Sequence, residues 1–156
     1  IIFGDQNEWE IASGVPHIPF EALDADYEID KEAYQEYFRK MHQLFPKCKK
    51  MLMAVRNQIA SSHHTLSGLL YDAVEDQLYT TRIYDIEPIV DPMGVGDAFI
   101  AAYIHAHQKW GDKNQYCLDF SLSASAIKNT IPGDQNLVSE EEIISNMTSS
   151  GGRILR

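Results

Sequence analysis

The sequence is short of positive charge. Lys and Arg together number 13 against 23 Asp and Glu, a formal net charge of −10. A general nucleic-acid binder needs a broad basic surface, and so does a protein that docks on anionic lipid; neither nucleic acid nor membrane is expected as a partner. A phosphate ligand stays open, because backbone amides and one or two cations can hold phosphate locally. Cysteine is scarce too. Cys48 and Cys117 stand far apart; one disulfide is open to them, but free buried thiols in a reducing compartment are the expectation. There is no CxxC and no HExxH, so a zinc site has no support. Neither a G-x-S-x-G elbow nor a GxxxxGK[ST] loop occurs, which excludes the serine-hydrolase turn and a P-loop lysine. No apolar run is long enough to span a bilayer and no signal peptide is read at the start, so a cytoplasmic protein is expected. No internal repeat or low-complexity tract is found.

What is present is ordinary globular composition. The 156 residues are 44% apolar and 23% charged, enough for one compact domain with a core. IIFGDQNEWEIASG reads as strand, turn and short helix, with Gly14 as a C-terminal stop. The opening IIF reads as the end of a buried strand without a start methionine, so the chain is expected to begin inside a larger protein. FEALDADYEID reads as a solvated acidic loop. Asp30 then caps a helix to about Leu44, whose apolar face is Tyr34, Tyr37, Phe38, Met41, Leu44 and Phe45.

KKMLMAVRN reads as a short buried strand. HTLSGLLYDAV and QLYTTRIYDI, joined by a turn at EDQ, read as a hairpin or meander. A helix to about Trp110 is stopped by Gly111 and Asp112. NQYCLDFSLSASAIKNT is a second helix, in which Ser123, Ala124, Ser125 and Ala126 permit close packing. IPGDQNLV is a loop, Ser139 opens a last helix with the capping pattern SEEE, and the tail SSGGRILR is expected to be loose. Strands alternating with helices imply an α/β layered fold.

The chemistry concentrates in VDPMGVGDAFIAAYIHA, Val90 to Ala106. Gly94 and Gly96 permit backbone angles closed to other residues. The amides of Gly94, Val95 and Gly96 can then converge where a helix N-terminus adds partial positive charge, a spot suited to transferring phosphate oxygens. Asp97, in the first helical turn, is held ionised by the same dipole and can accept a proton from an attacking hydroxyl. The plainer alternative is that Asp97 caps the helix and the glycines make a tight turn.

The block Asp91-Pro92-Met93-Gly94-Val95-Gly96-Asp97 resembles the D-T-x-G-A-G-D signature of the ribokinase-like (PfkB) sugar kinases. Pro92 replaces the usual Thr and Val95 the usual Ala. Asn7-Glu8-Trp9-Glu10 matches the N-x-x-E of that family. SSHHTLSGLLYD and AIKNTIPGDQNLV resemble its branch acting on the sugar acid 2-keto-3-deoxygluconate. The resemblance implies the C-terminal half of a three-layer αβα, Rossmann-like fold, with residues 1–156 forming the nucleotide-binding portion and the N-terminal half absent. It implies ATP-dependent phosphorylation of a sugar hydroxyl, with Asp97 as general base and the Gly94–Asp97 amides as anion hole. Asn7 and Glu10 would organise Mg2+ through water, and Asp134 of Gly133-Asp134-Gln135-Asn136 would approach the sugar. A monovalent cation such as K+ would sit beside the anion hole on Asp91 and carbonyls of 128–137. The family's T-x-G-x-x-G nucleotide loop is missing; Ala54–Ile59 stands in its place, where Arg56 and Asn57 remain candidates for phosphate or ribose. Other sugars, such as fructose or ribose, and a non-catalytic nucleotide-binding module remain alternatives. A half-domain would expose sheet edge and apolar surface, which favours a homo-oligomer.

The histidines carry no shared metal by pattern. His63 and His64 alternate across a strand, and His105 and His107 diverge by roughly 200° on a helix.

Overall fold

The structure, a computed structural model, describes residues 1–19, 27–149 and the backbone of 153–154. Part of the expected acidic loop (20–26) and most of the expected loose tail lie outside the described residues. The elements run β1 (Ile2–Gly4), α1 (Gln6–Ser13), α2 (Lys31–Leu44), β2 (Lys50–Ala60), β3 (His63–Asp72), β4 (Gln77–Thr80), β5 (Tyr84–Ile86), α3 (Val95–Trp110), α4 (Asn114–Lys128), α5 (Glu140–Thr148) and β6 (Arg153–Ile154).

One mixed sheet runs in the order β1-β2-β3-β5-β6, with β4 also pairing β3. β1 is parallel to β2 and β6 to β5, while β2, β4 and β5 all pair antiparallel with β3. Strand alternation sends side chains to two separate cores. Met51, Met53, Val55, Leu69 and Tyr71 face Trp9 of α1 and Tyr34, Tyr37, Phe38 and Met41 of α2. Leu52, Leu66 and Leu70 face α3, α4 and α5 on the other side. The layers are therefore helix, sheet, helix, as the α/β reading expects.

Four expectations need correction. β2 does not stop at Asn57 but continues to Ala60 and turns at Ser61-Ser62 directly into β3. Ala54–Ile59 holds no glycine or proline to break the ladder, so this stretch is strand and not a nucleotide loop. β1 is half-buried rather than buried, because it is an edge strand. Leu44 of the α2 stripe is 51% exposed, since the helix ends there and Phe45 packs on the core instead. Part of the tail is not loose: Arg153–Ile154 adds a strand to β5.

α4 is covered almost all round, lying between α3, α5 and the sheet. Its serines do more than save space. Ser121 Oγ donates to the Phe99 carbonyl at 2.5 Å, Ser123 Oγ to Ile143 at 2.9 Å and Ser125 Oγ to Val95 at 2.9 Å. Each buried hydroxyl is thereby satisfied on a neighbouring helix and sets how the helices slide past each other. Both cysteines are free and buried. Among the described residues, no helix is long and apolar enough to cross a membrane.

One buried ion pair ties the start of β2 to α4. Lys50 Nζ donates to Asp72 Oδ2 at 2.7 Å and to Asn114 Oδ1 at 2.6 Å, and Asn114 Nδ2 donates to the same Asp72 oxygen at 2.9 Å. Burial alone would raise the Asp72 carboxyl; the Lys50 and Asn114 bonds outweigh it and hold the group below its ordinary range. Asp72→Ala removes the buried counter-ion of Lys50 and should cost about 3 kcal/mol in urea denaturation. A depressed carboxyl contributes stability above its unfolded pKa and loses it as pH falls through the lower folded value. The variant should therefore lose less stability than the parent on acidification below roughly pH 4.

Candidate functional site

The glycine turn begins with Gly94, which holds φ 74° and ψ 5° as the N-cap of α3. That left-handed geometry favours glycine. A second constraint acts at the same atom: a Cβ on Gly94 would lie 2.1 Å from the Asp134 carbonyl oxygen. Gly96 differs from the expectation. Its φ is not left-handed, and a Cβ there would meet nothing within 4 Å. Its contribution is open space over the first turn rather than an unusual backbone angle.

The first helical bond of α3 runs from Ala98 N to the Gly94 carbonyl at 2.9 Å. The amides of Val95, Gly96 and Asp97 thus precede the ladder, and among the described residues they donate to no acceptor. Asp97 occupies the third helical position. In α1 and α5 the acid at that position, Glu8 and Glu142, folds back onto the N-cap amide in a capping box. Asp97 does not. Its carboxylate is exposed and, among the described residues, makes no hydrogen bond. The plain capping reading of Asp97 therefore lacks its bond.

Asp91 fastens this turn to the GDQN loop. Its Oδ1 accepts the Met93 amide at 2.9 Å and its Oδ2 the Gly133 amide at 2.8 Å. Those two amides hold the Asp91 carboxyl below its ordinary range, with a smaller contribution from the charge on Lys128. The Asn129 carbonyl accepts Val90 N at 2.8 Å and Asp91 N at 3.2 Å, closing the same junction from the end of α4. Asp134 is exposed beside Gly94, whereas Asn136 turns inward toward the Ala124 carbonyl. Asp91, Gly94, Val95, Gly96, Asp97 and Asp134 thus form one neighbourhood.

Asn7, Glu10 and Arg56 form a second. A cleft of about 250 Å³ is lined by Asp5, Asn7, His17, Ala54 and Arg56 among others. Glu10 reaches it through His17, whose ring and backbone amide both bond the Glu10 carboxylate. These bonds draw the Glu10 carboxyl below its ordinary range. His17 carries no motif and was not singled out from sequence. Asn57 is not brought here: it is 6% exposed and, by strand alternation, faces the α2 side. Both neighbourhoods lie at one end of the sheet. Lys50 Nζ meets Asp112 Oδ1 at 3.2 Å, so α3 ends over the start of β2. Its N-terminus, roughly 24 Å away, therefore lies toward the end where β1 delivers α1.

No group of three or more His, Cys, Asp or Glu suited to a metal is found among the described residues. Asn7 and Glu10, three apart on α1, share a face. An amide and a carboxylate so placed fit Mg2+, which keeps several of its waters and needs few protein ligands.

Gly94→Ala should destabilise the protein by about 2 kcal/mol or more, because left-handed strain adds to the clash with Asp134. Gly96→Ala should be neutral or stabilising by about 0.5–1 kcal/mol, as expected for an open helical position. Paired chemical denaturation of the two variants checks the contrast.

Scanned against family models and curated proteins, the sequence matches none. Solved structures do match. The crystal structure of 2-dehydro-3-deoxygluconokinase from Thermotoga maritima aligns at 26% identity and TM-score 0.79, over 94% of this chain and 40% of that one. A PfkB family carbohydrate kinase from Listeria grayi aligns at 29% identity and TM-score 0.68, over 80% of this chain and 40% of its own. Ribokinase from Arabidopsis thaliana, solved with ribose and ATP, shares the fold at 19% identity and TM-score 0.67 over 95% of this chain. The chain spans about 40% of the length of these kinases. In fold, this chain is therefore similar to part of the solved ribokinase-like (PfkB) carbohydrate kinases.

Proposed function

We propose that this chain is the nucleotide-binding, C-terminal portion of an ATP-dependent sugar kinase. The observation that carries the reading is the open turn Gly94–Asp97: three amides and an exposed carboxylate that bond to nothing among the described residues, in a fold shared with solved sugar kinases. The arrangement supplies the main needs of phosphoryl transfer, positioning and charge stabilisation. The amides of Gly94 to Asp97 hold the oxygens of the transferring group, and the α3 dipole adds to their field. Asp97 accepts the proton of the attacking sugar hydroxyl. Asn7 and Glu10 orient waters around Mg2+, which neutralises phosphate charge when bound. Arg56, across the cleft from Asn7, pairs with nucleotide phosphate; Asn57, being buried, supports the strand that carries it.

We further propose 2-keto-3-deoxygluconate as the sugar. Support comes from the Thermotoga maritima neighbour and from the GDQN loop, whose Asp134 stands beside the anion hole. The HHTLSGLLYD block carries less weight, because it forms β3, which is buried almost throughout. It reports on the fold rather than on the substrate.

Asp97→Asn in the full-length protein should lower turnover about a hundredfold or more while ATP binding stays intact, as loss of a general base does. Near-normal turnover would remove Asp97 from that role. A coupled ADP-release assay over a panel of 2-keto-3-deoxygluconate, fructose and ribose tests the substrate. Faster turnover of fructose or ribose would overturn the sugar-acid assignment.

A further inference from the structure

Lys128, the last residue of α4, is fully buried. Its ammonium donates to the Ile131 carbonyl at 2.9 Å, inside the loop that leads to Gly133. An interior ammonium is costly, so a chain that retains one needs a compensating use for it. The family resemblance implies a monovalent cation in this place, on Asp91 and carbonyls of 128–137. Asp91 and the carbonyls nearest the end of α4 are already taken. Both Asp91 oxygens accept backbone amides, from Met93 and Gly133. The Asn129 carbonyl accepts two amides, Val90 and Asp91, and the Lys128 carbonyl accepts Ile131 N at 3.0 Å. The Ile127 carbonyl accepts Thr130 N at 2.9 Å and Thr130 Oγ1 at 2.7 Å. The carbonyls of Ile127, Lys128, Asn129 and Ile131 thus each hold a hydrogen already, and the Ile131 carbonyl holds a charged one. A potassium ion bound to these oxygens would have to displace their donors and would sit against an existing ammonium.

We propose that the Lys128 ammonium is the built-in cation of this site. It holds the 128–134 loop and, through Gly133 and Asp91, the Gly94 turn, so the anion hole works without a bound monovalent ion. Lys128 acts as a positioning residue, through the loop and not by touching substrate. The inference rests on reading Gly94–Asp97 as a phosphate-binding turn.

The test uses the full-length protein at constant ionic strength in potassium, sodium or choline chloride. Thermal melting, calorimetric Mg·ADP affinity and sugar turnover are measured in each. The unsubstituted protein should give the same values in all three salts. Lys128→Ala leaves a small cavity beside the Ile131 carbonyl; it should weaken Mg·ADP binding and turnover about tenfold or more, with saturable recovery in potassium or ammonium chloride. Lys128→Met, which refills the space with an apolar chain, should show the loss without the recovery. A saturable rise in melting temperature or affinity of the unsubstituted protein in potassium over choline would overturn the proposal. So would a folded Lys128→Ala protein that binds Mg·ADP normally in choline. If the protein phosphorylates no sugar, the kinase reading fails alone, since melting and Mg·ADP binding still decide the cation question.

Discussion

The candidate site depends on how closely two stretches of main chain approach each other. The Asp134 carbonyl occupies the place where any residue but glycine at position 94 would carry its Cβ. The same glycine takes the left-handed turn that launches α3. One missing side chain thus serves both the local reversal and the distant contact. Asp91 secures the arrangement by accepting one amide from each side of it. The first three amides of α3 therefore point as they do because a loop forty residues later, roughly, is clamped against their entrance.

α4 is the element that makes this clamp rigid. A helix covered on all sides must satisfy its polar groups internally or on its neighbours. Ser121, Ser123 and Ser125 use the main-chain carbonyls of α3 and α5. Ser125 bonds Val95, the first residue of α3, so the buried helix reaches the glycine turn directly. One turn on, Asn129 receives the Val90 and Asp91 amides, and Lys128 holds the loop from beneath. Core packing and site geometry are here the same set of bonds.

Much of the fold was legible in the sequence wherever its cause was local. Asp30 caps α2, Gly14 ends α1 in a left-handed turn, Gly111 ends α3, and Ser139 with Glu142 opens α5, all as their patterns imply. Such signals involve a few neighbouring residues and survive without tertiary context. The length of β2 was harder to read. The apolar run KKMLMAVRN, bounded by charge, suggested a strand ending near Asn57, but no glycine or proline enforces a stop there, and pairing with β3 carries the strand to Ala60. Leu44 continues the helical stripe by spacing yet lies exposed, because a stripe has no meaning past the end of the surface it packs on.

The sequence by itself determined that the chain alternates strands with helices. It also determined that a glycine turn opens an apolar helix with an acid in its first turn, since periodicity, caps and turn residues act over short spans. Tertiary structure alone decided which of those residues meet. It separated the roles of Gly94 and Gly96, joined Asp91 to Gly133, left Asp97 exposed, buried Asn57 and drew His17 to Glu10. It also placed the Lys128 ammonium within the loop that shapes the site. These are contacts between segments far apart in the chain, and what fixes them is how two cores fill on opposite faces of one sheet, which no short window of residues contains.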